Sequence, residues 1–234
     1  MVNSKDMPPN LYKNNAPNHS SKKHDVGFNL IAITFIIAAI GLAIAYFIDN
    51  YTKKTPNLPS LYETSPKLNK IIAGQKLAIP SSWFRFSDQR HEEFSKQIDL
   101  HFTLNLGKNN APMEVYLTIS PIREALPSSV LLDSVYIRQF KSEQLKGING
   151  LIGKPLKPSK GYGLETIWYD PININPFVAK CLKPIAGQSE QKCIRTISIS
   201  NKISATFMFN FELLDNWKNF DSEAYKWFEK IDIQ

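Results

Sequence analysis

The sequence predicts an α+β protein: a single N-terminal transmembrane helix, then an extracytoplasmic domain built on an antiparallel sheet with two or three packing helices. Three observations carry this prediction. Residues 26–48 (VGFNLIAITFIIAAIGLAIAYFI) run 23 positions without a charge. Beyond residue 67, segments with apolar residues at every second position come in adjacent pairs, and only two helical patterns interrupt them. That order suits α+β rather than the βαβ repeat of a parallel sheet. Finally, the chain has only two cysteines, Cys181 and Cys193, both in its C-terminal half.

Residues 1–25 are rich in Asn, Ser, Pro and Lys and have almost nothing to bury, so they are expected to form a disordered cytoplasmic tail. Residues 26–48 follow as the transmembrane helix. At 1.5 Å per residue they reach about 34 Å, enough for the ~30 Å hydrocarbon core of a bilayer. Phe28 at one end and Tyr46, Phe47 and Tyr51 at the other sit where interfacial aromatics belong. The competing reading is a secretory signal peptide cleaved after Ala43-Ile44-Ala45. The 25 mostly polar residues ahead of the run, and its length, speak against it. Residues 49–66 hold three prolines and read as a juxtamembrane linker. Residues 67–234 form the domain, long enough for one substantial core.

Within the domain, Gln75–Ile79 is a short strand candidate. Residues 97–105 place Ile98, Leu100, Phe102 and Leu104 on one face and Asp99, His101 and Thr103 on the other. After a turn at 107–112, Met113, Val115, Leu117 and Ile119 repeat the alternation, which predicts an antiparallel hairpin. Pro127-Ser128 offers a helix start for 130–140. Residues 147–163, with five glycines and two prolines, read as a loop. Strands are then expected over 164–169, 177–182, 193–200 and 203–211. A closing helix is expected to be capped by Asp221 and to present Ala224, Trp227, Phe228 and Ile231.

No catalytic motif emerges, so the chain is read as a non-enzyme without a cofactor or metal. Cys181 and Cys193 are far from Cys-x-x-Cys spacing, and two cysteines with scattered histidines do not make a zinc set. His91-Glu92-Glu93-Phe94-Ser95 lacks the second histidine of a zincin helix, and His91 and His101 read as surface residues. Residues 147–154 (GINGLIGK) miss the phosphate-loop spacing, and Lys154 is followed by Pro155. What the cysteine spacing does suit is a disulfide across a hairpin, stabilising by roughly 3 kcal/mol. Disulfides persist in oxidising compartments. Lysines flank the apolar run evenly, with Lys13, Lys22 and Lys23 before it and Lys53, Lys54 and Lys67 after, so the cysteines alone place the domain outside.

The net charge is +7, diffuse along the chain and too weak an excess to imply nucleic acid. One basic stretch stands out: Arg138, Lys141, Lys146, Lys154, Lys157 and Lys160 against Glu143 alone. Lys154, Lys157 and Lys160 are its candidates for contacting an anionic surface.

The apolar run, the proline linker, the segment Ile79-Pro80-Ser81-Ser82-Trp83-Phe84-Arg85, the late cysteine pair and the closing Leu213-Leu214…Trp217 stretch resemble uncharacterised single-pass membrane-anchored envelope proteins of Gram-negative bacteria. The resemblance implies an inner-membrane protein with a periplasmic domain and an envelope protein partner, and it assigns no catalytic residues. The expected function is a membrane-anchored periplasmic interaction or scaffold module, held in the lipid bilayer through residues 26–48. The alternatives are a binding module for anionic lipid or glycan, and an envelope enzyme with a site assembled from distant residues.

Overall fold

A computed structural model describes residues 26–52, 58, 59, 61, 62, 64–148, 150–158, 164–183 and 190–233. The expected tail over 1–25 and Lys160 lie outside the described residues. The chain divides into two compact units, Met1–Thr55 and Pro56–Gln234.

Of the first unit the structure describes one helix, α1 (Val26–Thr52), 27 residues long and therefore about 40 Å. It runs four residues past the expected end at Ile48. Nothing there stops it, since the prolines that break the pattern begin only at Pro56. From Ile31 to Ile48 its side chains are almost all exposed, Phe35 and Leu42 at 73%.

The second unit is α+β with a large antiparallel sheet. Seven strands take the order β3-β4-β9-β8-β7-β6-β5: β3 (Ile98–Leu104), β4 (Met113–Pro121), β5 (Ile152–Pro155), β6 (Glu165–Tyr169), β7 (Val178–Leu182), β8 (Lys192–Ser198) and β9 (Ile203–Asn210). Every neighbouring pair is antiparallel. The expected β3–β4 hairpin is present, with Leu100 opposite Leu117 and Phe102 opposite Val115. A smaller sheet, β1 (Lys67–Ile72), β2 (Gln75–Pro80) and β10 (Asp232–Ile233), sends Ile72, Leu77 and Ile79 into the same core. Its β1–β2 turn puts Ala73 (φ 50°) and Gly74 (φ 72°) in the left-handed region, the geometry of a two-residue hairpin turn.

One face of the large sheet is covered by the C-terminal helical run, a 3₁₀ stretch over Phe211–Asn219 followed by α3 (Phe220–Phe228). Phe220 lies 5.3 Å from Phe207 and 4.9 Å from Phe209, ring centroid to centroid, and Trp227 stacks on Phe102 at 4.2 Å. Among the described residues, helical structure covers the other face at one end only. There a helical segment over Ser128–Gln139, whose pitch changes from α to π to 3₁₀, packs Leu132 and Tyr136 on Ile167 and Val178.

Four expectations change. Residues 152–155, read as loop, form β5, because Gly153 lets the Trp168 ring lie flat against the strand. β1 and β10 were not anticipated. Asp221 does not cap α3: it lies in the first turn, and its carboxylate takes both Nε and Nη2 of Arg195, at 3.0 and 2.6 Å. Ser128 likewise makes no cap, since its hydroxyl accepts the backbone N–H of Thr196 at 2.9 Å.

Candidate functional site

Period-2 alternation turns Asp99, His101 and Thr103 of β3 and Glu114, Tyr116 and Thr118 of β4 away from the apolar core, onto the uncovered face of the sheet. Asp99 stands opposite Thr118, His101 opposite Tyr116 and Thr103 opposite Glu114. Side chains of directly opposed and diagonal residues therefore meet. His101 and Tyr116 stack with centroids 4.4 Å apart, His101 Nε2 lies 2.5 Å from Glu114 Oε1, and the Tyr116 hydroxyl donates to the same oxygen at 3.0 Å. Arg85 brings its guanidinium 4.5 Å from the centre of the Tyr116 ring and 4.9 Å from that of Phe86. Burial, and then the hydrogen bond to Glu114 and its charge, push the Tyr116 phenol above its ordinary pKa, against the opposing charge of Arg85.

Beside this cluster, Asp99 is nearly buried and accepts from Gln89 Nε2 (2.9 Å), Gln97 Nε2 (2.8 Å) and Thr118 Oγ1 (2.7 Å). Its own N–H donates to Gln89 Oε1, and its carbonyl accepts the Arg85 N–H. Asp99 thus ties the 84–97 connection to the sheet edge and fixes where Arg85 and Phe86 emerge. The result is a platform of aromatic, cationic and anionic groups on the sheet face, with Arg85, Phe86 and Glu114 exposed and His101 and Tyr116 half-buried. Such a surface suits a partner that stacks and hydrogen-bonds.

The basic stretch is arranged differently. Lys154 Nζ donates to the carbonyls of Ser142 (3.1 Å) and Glu143 (3.2 Å), and backbone bonds from Lys141 to Pro155 and between Leu145 and Gly153 lay the 141–145 segment along β5. Lys154 is therefore a brace that helps to cover the sheet edge. Lys157 is exposed, and its backbone N–H donates to Gln139 O. Among the described residues, Lys154 and Lys157 thus make separate contacts. Cys181 and Cys193 are directly opposed across β7 and β8, both fully buried, with sulfurs at bonding distance and Cα atoms 4.0 Å apart.

Other charged residues went unread because they sit where the pattern calls for apolar ones. Arg195 is 5% exposed on the core face of β8, satisfied by Asp221, by the Val178 carbonyl at 3.2 Å and by the Phe177 ring at 4.2 Å. Lys70 is 1% exposed on the core face of β1, donates to the Glu92 carbonyl and lies over Phe84. Burial holds its ammonium below the usual lysine pKa, against the pull of the Glu92 charge. His101, expected as a surface histidine, is half-buried and belongs to the platform. The β3 alternation had already put it on Tyr116's side of the sheet. Among the described residues, no three His, Cys, Asp or Glu side chains are grouped to hold a metal ion.

No protein-family model matches the chain, and no curated protein matches it.

Proposed function

We propose that this is a single-pass membrane protein whose C-terminal domain, on the extracytoplasmic side, works as an interaction module and presents the Arg85–His101–Glu114–Tyr116 platform to an envelope protein partner. The observation that carries the reading is α1. From Ile31 to Ile48 it is long and apolar enough to cross a bilayer, and Ile31, Phe35, Ile37, Leu42 and Phe47 are all more than half exposed. A helix apolar all round, with its backbone groups paired internally, is stable in lipid and costly in water. The buried cysteine pair supports export, because an oxidised pair persists outside the reducing cytosol.

Fractionation and thiol alkylation test the anchor and the export. The full chain is expected in the membrane pellet after carbonate extraction, with the residues ahead of Val26 still attached. Thiol alkylation in intact cells should label neither cysteine until a reductant and a denaturant are added. A mature N-terminus at Tyr46 would make α1 a cleaved leader. Two cysteines that alkylate on denaturation without reductant would return the domain to the cytosol.

A further inference from the structure

The β6–β7 connection carries no charge over residues 171–177 (PININPF), and it holds two of the most exposed large apolar side chains of the second unit: Ile172 at 86% and Ile174 at 100%. Neither end of the loop is loose. Asp170, 4% exposed, accepts the Ile172 N–H at 3.0 Å and the Asn173 side-chain amide, and its own N–H donates to the Phe177 carbonyl at 3.0 Å. Phe177 is buried against Trp217 and Phe220. Pro171 and Pro176 fix φ on either side of the tip. The loop base is thus clamped while the two isoleucines stand outward, with Asn173 and Asn175 between and beside them.

We infer that this tip is a lipid wedge: Ile172 and Ile174 enter the interface of the bilayer that holds α1. The inference rests on the membrane reading of α1. Two apolar side chains set among asparagines are too small a patch for a stable protein interface, which takes about 800 Å² per partner. For lipid they suffice once the domain is tethered. The 14 residues from 53 to 66 reach at most about 50 Å, so the bilayer is always at high local concentration and a weak contact is populated. An uncharged loop enters without desolvating an ion, and the asparagine amides stay at headgroup depth. A pre-clamped backbone loses little entropy on docking.

The test uses the full chain in liposomes of phosphatidylethanolamine and phosphatidylglycerol, with a nitroxide placed in turn at Ile37→Cys, Ile174→Cys and Lys202→Cys. Cys181 and Cys193 are buried and do not take the label. Accessibility is read with oxygen, which partitions into lipid, and a water-soluble nickel chelate, which does not. Labels at 37 and 174 should favour oxygen, and the label at 202, on the β8–β9 turn, should favour nickel. Oxygen preference at 37 with nickel preference at 174 would overturn the wedge and leave the anchor standing. Nickel preference at 37 would overturn the anchor and the wedge together. A label at 174 shielded from both reagents would report a protein contact and overturn the assignment to lipid.

Discussion

The two ends of the seven-stranded sheet are built on different rules. Along β3, β4 and β9 one face is packed and the other is open: Phe102, Leu117 and Phe207 are buried, while His101, Tyr116 and Met208 behind them keep some exposure. Along β6 and β7 both faces are packed. Trp168, Ala179 and Cys181 join the main core, while Ile167 and Val178 lie under the 128–139 helical segment. The open half has sheet-face residues left over for contact with something else; among the described residues the faces of β6 and β7 are filled, and what that end exposes is the loop beyond them, with Ile172 and Ile174. The platform therefore sits where alternation is cleanest, and the cysteine pair where the packing is deepest.

Substitution in pairs tests this contrast most severely. On β9, Phe207→Ala should cost about 3–5 kcal/mol, because it empties the space beside Phe220 and Phe228. Its neighbour Met208→Ala, on the open face, should cost under about 1 kcal/mol. On β6 both neighbours should be expensive: Trp168→Ala about 3–5 and Ile167→Ala about 2–5 kcal/mol. Denaturant midpoints at unchanged m-value give the comparison. Equal losses at 207 and 208 would mean that the open face is covered after all.

The same contrast decides what the sequence could disclose. Where one face is open, apolar and polar residues alternate, and β3, β4 and β9 are legible to within a residue or two. β5 is hidden even though its burial alternates: it is only four residues long and contains Gly153 and Pro155, so it reads as loop. β1 is hidden for a different reason. Lys70 occupies a core-face position, so the pattern Leu68-Asn69-Lys70-Ile71-Ile72 points the wrong way unless the Glu92 carbonyl and the Phe84 ring that receive the ammonium are known. Those partners are distant in sequence, as Asp221 is from Arg195 and Arg85 is from Tyr116. Period and spacing put His101 on the polar face of β3, but it took the β3–β4 register to set Glu114 and Tyr116 beside it and the tertiary structure to bring Arg85 to them.

Gly153 sharpens the contrast at smaller scale. A Cβ there would lie 2.8 Å from two ring atoms of Trp168, its cross-strand partner, and Trp168 has Phe211 behind it at 5.7 Å. Overpacking of this kind costs about 1–3 kcal/mol. The expectation is a loss of that size for Gly153→Ala. Gly147→Ala, where an added Cβ meets nothing within 4 Å, should change stability by less than about 0.5 kcal/mol. Equal thermal midpoints for the two variants would show that the ring does not lie on the strand.

The smallest effect belongs to the open face and is read from pH rather than stability. Glu114→Gln leaves an acceptor beside Tyr116 but removes the negative charge that, with burial and the hydrogen bond, raises the phenol's pKa. At neutral pH an exposed change of this kind should move stability by less than about 0.5 kcal/mol. The alkaline limb differs. A phenol whose folded pKa lies above its unfolded value, about 10, binds its proton more tightly in the native state. Its contribution is whole below pH 10 and is lost as pH climbs through the folded value. In Glu114→Gln, Tyr116 should ionise at lower pH, and less stability should be lost above pH 10, because less was held there. The phenolate absorbance of wild type minus variant isolates this one group among nine tyrosines. Superimposable titrations would mean that Glu114 and Tyr116 do not meet on the open face, and the platform would lose its centre.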